Sequence, residues 1–187
     1  MKRSFIVSIA IILLSSISFL AKNNATTLSK KDVQGLRIAA TPKISDAEKK
    51  TYLVTRVVDG DTFKVDINGI SETVRMIGVD TPEVVDPRKP VQCFGKEASN
   101  KAKEILADKR VNLESDQSQS DRDKYKRLLR YAFLEDGMFV NKVLISEGYA
   151  HEYTYQSNPY KYQLEFKQAE KQARDEKRGL WAENVCP

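Results

Sequence analysis

The stretch from Arg75 to Glu83, RMIGVDTPE, restricts the fold of this chain more than any other segment. Its apolar and β-branched residues favour a strand, and Pro82 ends that strand because proline cannot donate a hydrogen bond to a ladder. The turn carries Asp80 and Glu83, whose negative charges repel each other unless a cation lies nearby. Arg75 or a hard metal ion would supply that cation. The segment therefore predicts a charged site, with a solvated acidic turn as the alternative.

A second acidic turn lies in residues 57–65, VVDGDTFKV. The Asp-Gly pair predicts a hairpin, because glycine readily adopts the positive φ of a tight turn. Asp61 has the same parity as Phe63 and Val65, so it lies at the mouth of the core if those two face inward. An Asp-x-Asp pair also begins an EF-hand loop, but Ile70 stands where that loop needs glutamate, which excludes an EF-hand.

A third motif, Asp-Lys-Tyr-x-Arg at 123–127, follows VDGDT and RMIGVDTPE in order. With these three motifs, residues 52–181 resemble the thermonuclease, or staphylococcal-nuclease-like, family. The resemblance implies an α+β, mainly β fold, namely an OB-type five-stranded barrel with three helices. It also implies hydrolysis of DNA and RNA with calcium as the cofactor.

The hydrophobic periodicity predicts three strands, a helix and two further strands, followed by two helices. The fourth and fifth strands are expected at 110–114 and 128–135, and the first helix opens at Gly95. The last helix is predicted to start at Pro159 and to end before Gly179. This strand order is that of an OB fold, a class that often binds nucleic acid on the barrel face.

The resemblance also implies roles for individual residues. Its calcium ligands correspond to the carboxylates of Asp61 and Asp80 and the backbone carbonyl of Thr81, an oxygen-only set that suits a hard cation. Its glutamate corresponds to Glu83, which would activate or orient the attacking water. Its two arginines correspond to Arg75 and Arg127, whose guanidinium groups can bind two phosphate oxygens at once.

Four further positions correspond to substrate-binding residues of the family: Lys124, Tyr125, Tyr153 and Tyr155. The tyrosines could stack on bases, or they could be ordinary aromatics at a barrel edge. The chain departs from the family at Lys126, where many relatives have glycine. If that position requires positive φ, Lys126 costs about 1 kcal/mol and could displace Arg127.

The termini of the chain suggest export. Residues 1–21 combine Lys2 and Arg3 with an apolar run, as in a signal peptide, although an uncleaved N-terminal membrane anchor is the alternative. Residues 22–50 are polar and predict a flexible linker, and residues 51–187 form the predicted thermonuclease-like domain. Cys93 and Cys186 fit one disulfide in a secreted or cell-envelope protein, with two buried thiols as the alternative.

Charge and histidine content narrow the function. The net charge is +5, and loss of Lys2 and Arg3 with a cleaved leader leaves +3, which is compatible with a polyanionic partner. A single histidine, His151, argues against His-ligated zinc and Ser-His-Asp catalysis. Two hypotheses remain. One is a monomeric calcium-dependent endonuclease acting on DNA and RNA, single strands favoured, without a protein partner. The other is a non-catalytic OB-type nucleic-acid-binding domain of the same descent.

Overall fold

The computed structural model describes residues 50–84 and 90–186. The predicted leader, the predicted linker up to residue 49, and residues 85–89 of the loop after Glu83 lie outside the described residues. In the described part of the chain, no helix has both the length and the apolar character needed to cross a membrane.

The described residues form seven strands. Five of them build the barrel, and these five follow the predicted order along the chain. The strands are β1 (Thr51–Asp59), β2 (Thr62–Ile67), β3 (Ile70–Met76), β4 (Val79–Asp80), β5 (Arg110–Glu114), β6 (Leu128–Leu134) and β7 (His151–Glu152). Five of them close into a barrel in the order β1–β2–β3–β6–β5. The β3–β6 pair is parallel and the other barrel pairs are antiparallel. The OB-type prediction is confirmed.

The barrel interior follows the predicted alternation of side chains along β2. Phe63 and Val65 are fully buried, and Asp61, with the same parity, is buried just before them. Val74 and Met76 fill the same interior from β3. Because successive side chains of a strand point to opposite faces, the burial of Phe63 and Val65 directs Asp61 inward as well.

Three α-helices complete the domain: α1 (Gly95–Leu106), α2 (Val140–Ser146) and α3 (Gln163–Asp175). The predicted start of the last helix at Pro159 is wrong by four residues. The carbonyl of Pro159 accepts hydrogen bonds from Ser118 Oγ (3.1 Å) and Gln119 Nε2 (2.9 Å) instead of from a helical N–H. Side chains of a distant loop thus hold residues 159–162 outside the helix, which propensity along the chain does not reveal.

The single strand that was predicted to end at Pro82 is interrupted at Ile77 and Gly78, where Gly78 has a φ of 75°, so Val79–Asp80 forms a separate short strand. This strand, β4, and the unpredicted β7 position the site. In β4 and β7, Val79 pairs with Glu152 and Asp80 with His151. Two-residue strands have too little periodicity to be recognised from sequence. This small sheet fixes the turn after β3 against the segment that carries Tyr153, whose N–H donates to the carbonyl of Gly78 at 3.1 Å.

A disulfide joins Cys93 to Cys186, with their Cα atoms 5.8 Å apart. The bond connects the residues just before α1 to the end of the chain, 93 positions later. In the chain-entropy picture, closing a loop of that length stabilises a fold by roughly 4 kcal/mol at most. The pairing agrees with the prediction.

Candidate active site

A single guanidinium group, that of Arg75, holds the centre of the site. It forms ion pairs with Asp61 through Nη1 and with Asp80 through Nη2, the latter at 2.9 Å. Nη2 also donates to the carbonyl of Val79 at 3.0 Å. The Arg75 side chain is 16% exposed, so it is largely buried but still opens to solvent. The structure therefore brings Asp61 and Asp80 to the same guanidinium group.

Strand pairing explains why Arg75 reaches Asp61. Arg75 lies opposite Thr62 in the β2–β3 ladder, and the N–H of Met76 donates to the carbonyl of Asp61 at 3.0 Å. The Asp61 carboxylate also accepts the backbone N–H of Thr81 at 3.1 Å and its hydroxyl at 3.2 Å. Asp61 thus links the β2 hairpin to the acidic turn after β4.

A glycine makes the approach of these two turns possible. A Cβ atom added to Gly60 would lie 2.7 Å from the Thr81 side chain, closer than real Cβ contacts allow. The predicted hairpin forms, but Gly60 does not adopt the positive φ that was expected of it. Its role is steric, because the missing side chain lets the Asp61 turn and the Thr81 turn touch.

Burial affects the charges of this cluster in opposite directions. Burial lowers the pKa of Arg75, and the Asp80 carboxylate opposes this shift. Burial raises the pKa of Asp59, and the nearby Glu83 carboxylate raises it further. An arginine side chain keeps its charge at any working pH even so. The site therefore retains a fixed cation next to carboxylates that repel one another.

Asp59 is a site residue that the sequence analysis missed. It is 7% exposed, its Oδ1 accepts the N–H of Gly60 at 2.7 Å, and it interacts with Glu83. Asp59 is the first aspartate of the VDGDT motif, which the sequence analysis interpreted only as part of a hairpin turn. A buried carboxylate with a raised pKa in this position indicates a functional site better than a turn does. We call Asp59, Asp61, Asp80 and Glu83 the acidic cluster.

Arg127 occupies a different setting, at the end of the loop before β6. Its Nε and Nη2 contact Asp123 Oδ2 at 2.7 and 2.6 Å, and its N–H donates to Asp123 Oδ1 at 3.0 Å. Its guanidinium carbon lies 5.2 Å from the centre of the Tyr125 ring. Lys126 has a φ of 66°, so the position does require the left-handed conformation that glycine would adopt more easily. Despite that strain, Arg127 is held in a defined place.

Both arginines open onto one groove of about 630 Å³. Its lining includes most of the predicted positions: Arg75, Asp80, Lys124, Tyr125, Arg127, Tyr153 and Tyr155. We call this the cationic groove. The three tyrosines are between 43% and 67% exposed, and the rings of Tyr153 and Tyr155 are 6.4 Å apart. Exposed aromatic faces beside cations are the surface that nucleic-acid bases and phosphates require.

The donor chemistry of the acidic cluster fits a hard cation. Asp61, Asp80 and the Thr81 carbonyl offer oxygen atoms alone, which suits calcium or magnesium and not a soft metal. Within residues 50–84 and 90–186, no three side chains of His, Cys, Asp or Glu are grouped closely enough to hold a metal ion. The predicted set contains two carboxylates and one backbone carbonyl, so it does not depend on such a group, and water would complete it.

Glu83 lies at the edge of the acidic cluster, one residue after Pro82. Its backbone N–H donates to Gln92 Oε1 at 2.7 Å, and its carboxylate interacts with Asp59. The structure thus places Glu83 beside Asp59, whose carboxylate in turn interacts electrostatically with Arg75. Neither Glu83 nor Asp61 is among the residues that line the cationic groove, whereas Asp80 belongs to both groups.

Comparisons with known proteins show which chains this one is similar to. A family model described as "Staphylococcal nuclease homologue" matches residues 73–183. A "Thermonuclease" of Staphylococcus hyicus is 48% identical over 139 residues, covering 74% of this chain and 80% of that protein. A "Thermonuclease" of Staphylococcus intermedius is 46% identical, covering 73% and 79%. "Endonuclease YncB" of Bacillus subtilis (strain 168) is 36% identical, covering 98% and 94%.

Proposed function

Because this chain belongs to the family of staphylococcal nuclease homologues, we propose that it is a nuclease that hydrolyses phosphodiester bonds in nucleic acids. The relatives named "Thermonuclease" and "Endonuclease YncB" support this class of enzyme. Within that class we propose a calcium-dependent endonuclease that accepts both DNA and RNA.

One observation carries the proposal: the Arg75 guanidinium contacts Asp61 and Asp80 and also opens onto the cationic groove. A phosphodiester bound in that groove would contact Arg75, next to the carboxylates, and a second cation, Arg127, which lines the same groove. An OB-type domain that only bound nucleic acid would need cations and aromatic faces, but not an acidic cluster next to them in which two carboxylates, those of Asp59 and Asp61, are buried.

The arginines would stabilise the charge that develops on the phosphate oxygens. Arg75 is pre-positioned by Asp61, Asp80 and the Val79 carbonyl, so little reorganisation is needed when the transition state forms. Arg127 is oriented by a local ion pair with Asp123. The planar guanidinium can donate to two phosphate oxygens at once, which an ammonium group cannot do in fixed geometry.

Glu83 would take the proton from the attacking water. The water oxygen forms a bond to phosphorus, one P–O ester bond breaks, the water proton moves to the Glu83 carboxylate, and the leaving oxygen takes a proton from solvent. The proximity of Glu83 to Asp59, which itself lies near Arg75, supports this role.

Asp61, Asp80 and the Thr81 carbonyl would hold calcium, which when bound neutralises charge on the phosphate as a Lewis acid. Tyr153, Tyr155 and Tyr125 would stack on bases, and stacking requires unpaired bases, so we propose a preference for single strands. The contacts that we propose are to phosphates and bases, which DNA and RNA share, in keeping with action on both.

We also propose that the protein is exported and acts as a monomer. The Cys93–Cys186 disulfide supports an oxidising compartment, as does the charged and apolar character of residues 1–21. A cleaved leader would release the enzyme, whereas an uncleaved one would tether it to the membrane.

The test is to incubate the purified protein with single-stranded DNA and single-stranded RNA, with calcium or with excess chelator. We expect cleavage of both substrates with calcium and none with chelator. Full activity in chelator would contradict the metal assignment, and binding without cleavage would favour the non-catalytic alternative.

A further inference from the structure

The backbone of Glu83 is held by a residue that lies nine positions later in the chain. Glu83 donates its N–H to Gln92 Oε1 at 2.7 Å, and the N–H of Gln92 donates to the Glu83 carbonyl at 3.0 Å. One side-chain bond and one main-chain bond thus fix both polar groups of the same peptide segment. Glu83 follows β4 and lies outside its ladder.

The start of α1 packs directly on this segment. A Cβ atom added to Gly95 would lie 2.7 Å from Val84 Cγ1, 3.1 Å from the Pro82 carbonyl and 3.2 Å from the Glu83 carbonyl. The N–H of Gly95 donates to the carbonyl of Gln92 at 3.0 Å, which connects the turn at Gln92 to the helix. The absence of a side chain at Gly95 therefore allows the turn to lie against Glu83.

The disulfide is attached to the same turn. Cys93 follows Gln92 directly and is bonded to Cys186, near the end of the chain. Gln92 itself is exposed, so solvent competes for its hydrogen bonds and burial does not hold it in place. A covalent bond one residue away restricts the positions that the Gln92 side chain can reach.

We propose that Gln92 is a positioning residue for Glu83 and that the Cys93–Cys186 disulfide keeps Gln92 in place. The inference rests on the proposed function, since it takes Glu83 as the group that accepts the proton of water. A misplacement of about 1 Å at a reacting group can cost on the order of 10²-fold in rate. Fixing the main chain of Glu83 fixes the origin of its side chain.

The first test removes the acceptor oxygen but keeps the side-chain length, with Gln92→Met. We expect kcat to fall on the order of tenfold with KM unchanged, because Glu83 acts on the water and not on substrate binding. Gln92→Glu keeps an acceptor oxygen at the same reach and should recover most of that loss. Gln172→Met, on the exposed face of α3, is the matched control and should leave kcat unchanged.

The second test asks whether the disulfide acts through Gln92. Replacing both cysteines by serine should lower kcat in the wild-type background, but hardly further in the Gln92→Met background, because both changes release the same group. The drop in Tm on losing the disulfide should be the same in both backgrounds. A purely structural bond would give equal losses of kcat as well.

A third measurement needs no catalysis. The exchange rate of the Glu83 amide proton, followed by NMR, should rise in Gln92→Met and in the double serine variant. Normal kcat in Gln92→Met, a loss that Gln92→Glu does not recover, or additive losses of kcat would each overturn the inference. If the wild-type protein cleaves no nucleic acid, the proposed function fails. The amide exchange then tests the positioning role separately, because an unchanged exchange rate of the Glu83 amide in Gln92→Met would overturn it.

Discussion

Arg75 and Arg127 have the same side chain and open onto the same groove, but the fold holds them in different ways. Arg75 lies in the middle of a barrel sheet, its side chain is 16% exposed, and two carboxylates and a carbonyl contact it. Arg127 ends a loop, its side chain is 29% exposed, and Asp123 is its ion-pair partner in the described structure. The partner of Arg127 lies four residues away, whereas Asp61 reaches Arg75 across a strand pair.

The difference separates two ways to fix a cation. A buried pair is sensitive to the loss of one partner, since the other charge is left in a poorly solvated place at a cost of about 3–5 kcal/mol. The Arg127–Asp123 pair is local and partly buried, and at 29% and 17% its side chains are more exposed than those of Arg75 and Asp61. Exposed pairs give about 0.2–1 kcal/mol, so we expect a small contribution to stability and a main effect on the orientation of the side chain. We therefore expect changes at Arg75 to affect both turnover and stability, and changes at Arg127 to affect turnover alone.

The largest effect is expected for Arg75→Lys. Lysine keeps the charge but cannot contact Asp61, Asp80 and a phosphate at once, so kcat should fall by about 10²-fold or more, with a lower Tm. Steady-state kinetics and thermal unfolding measure both. Arg56→Lys, at an exposed position of β1, is the matched control. Turnover near that of the wild type would remove Arg75 from the catalytic group.

A somewhat smaller effect is expected for Arg127→Lys. The fork is lost while the charge stays, so kcat should fall by roughly 10- to 100-fold with KM and Tm little changed. The control is Arg130→Lys, whose guanidinium pairs with Asp121 at 2.5 Å in the same basic stretch. If Arg130→Lys or Lys124→Ala lowers kcat more than Arg127→Lys does, the second catalytic cation has been misassigned.

Removing the charge that orients Arg127 should have a modest effect. Asp123→Asn keeps the size of the side chain but weakens the bonds to Arg127, so we expect kcat to fall a few-fold and stability to fall by about 1 kcal/mol or less. Asp61→Asn provides the contrast, because loss of that buried charge leaves Arg75 poorly paired and should lower the free energy of unfolding several times more than Asp123→Asn does. Equal losses of Tm would show that the two ion pairs do not differ as described.

The smallest effect is expected for Lys126→Gly. With a φ of 66°, Lys126 occupies a conformation that glycine adopts without strain, so the substitution should raise stability by about 1 kcal/mol or less. Because Asp123 already holds Arg127 in place, kcat should change by less than about twofold. Asn68→Gly, at a φ of 56° in an exposed turn, is a control for the backbone effect alone. A large rise in kcat would mean that Lys126 displaces Arg127.

Much of the site could be predicted from residue types, and where the prediction failed the cause is physical. A cation was predicted near the Asp80–Glu83 turn, and the family resemblance implied that Asp61 and Asp80 belong to one site. In the structure Arg75 contacts both carboxylates. Asp59 was missed because an Asp-Gly pair is a sufficient reason for a turn, and nothing in the sequence reports that its carboxylate is buried.

What the sequence alone determined is local: which residues of β2 face inward, that no strand continues past Pro82, and where α1 begins. Backbone sterics and the burial of apolar side chains set these features over a few neighbouring residues. The tertiary structure decided which distant groups meet, including Arg75 with Asp61, Ser118 with Pro159, and Cys93 with Cys186. Those contacts depend on how the barrel closes and how its loops pack, and neither closure nor packing leaves a periodic signal in the chain.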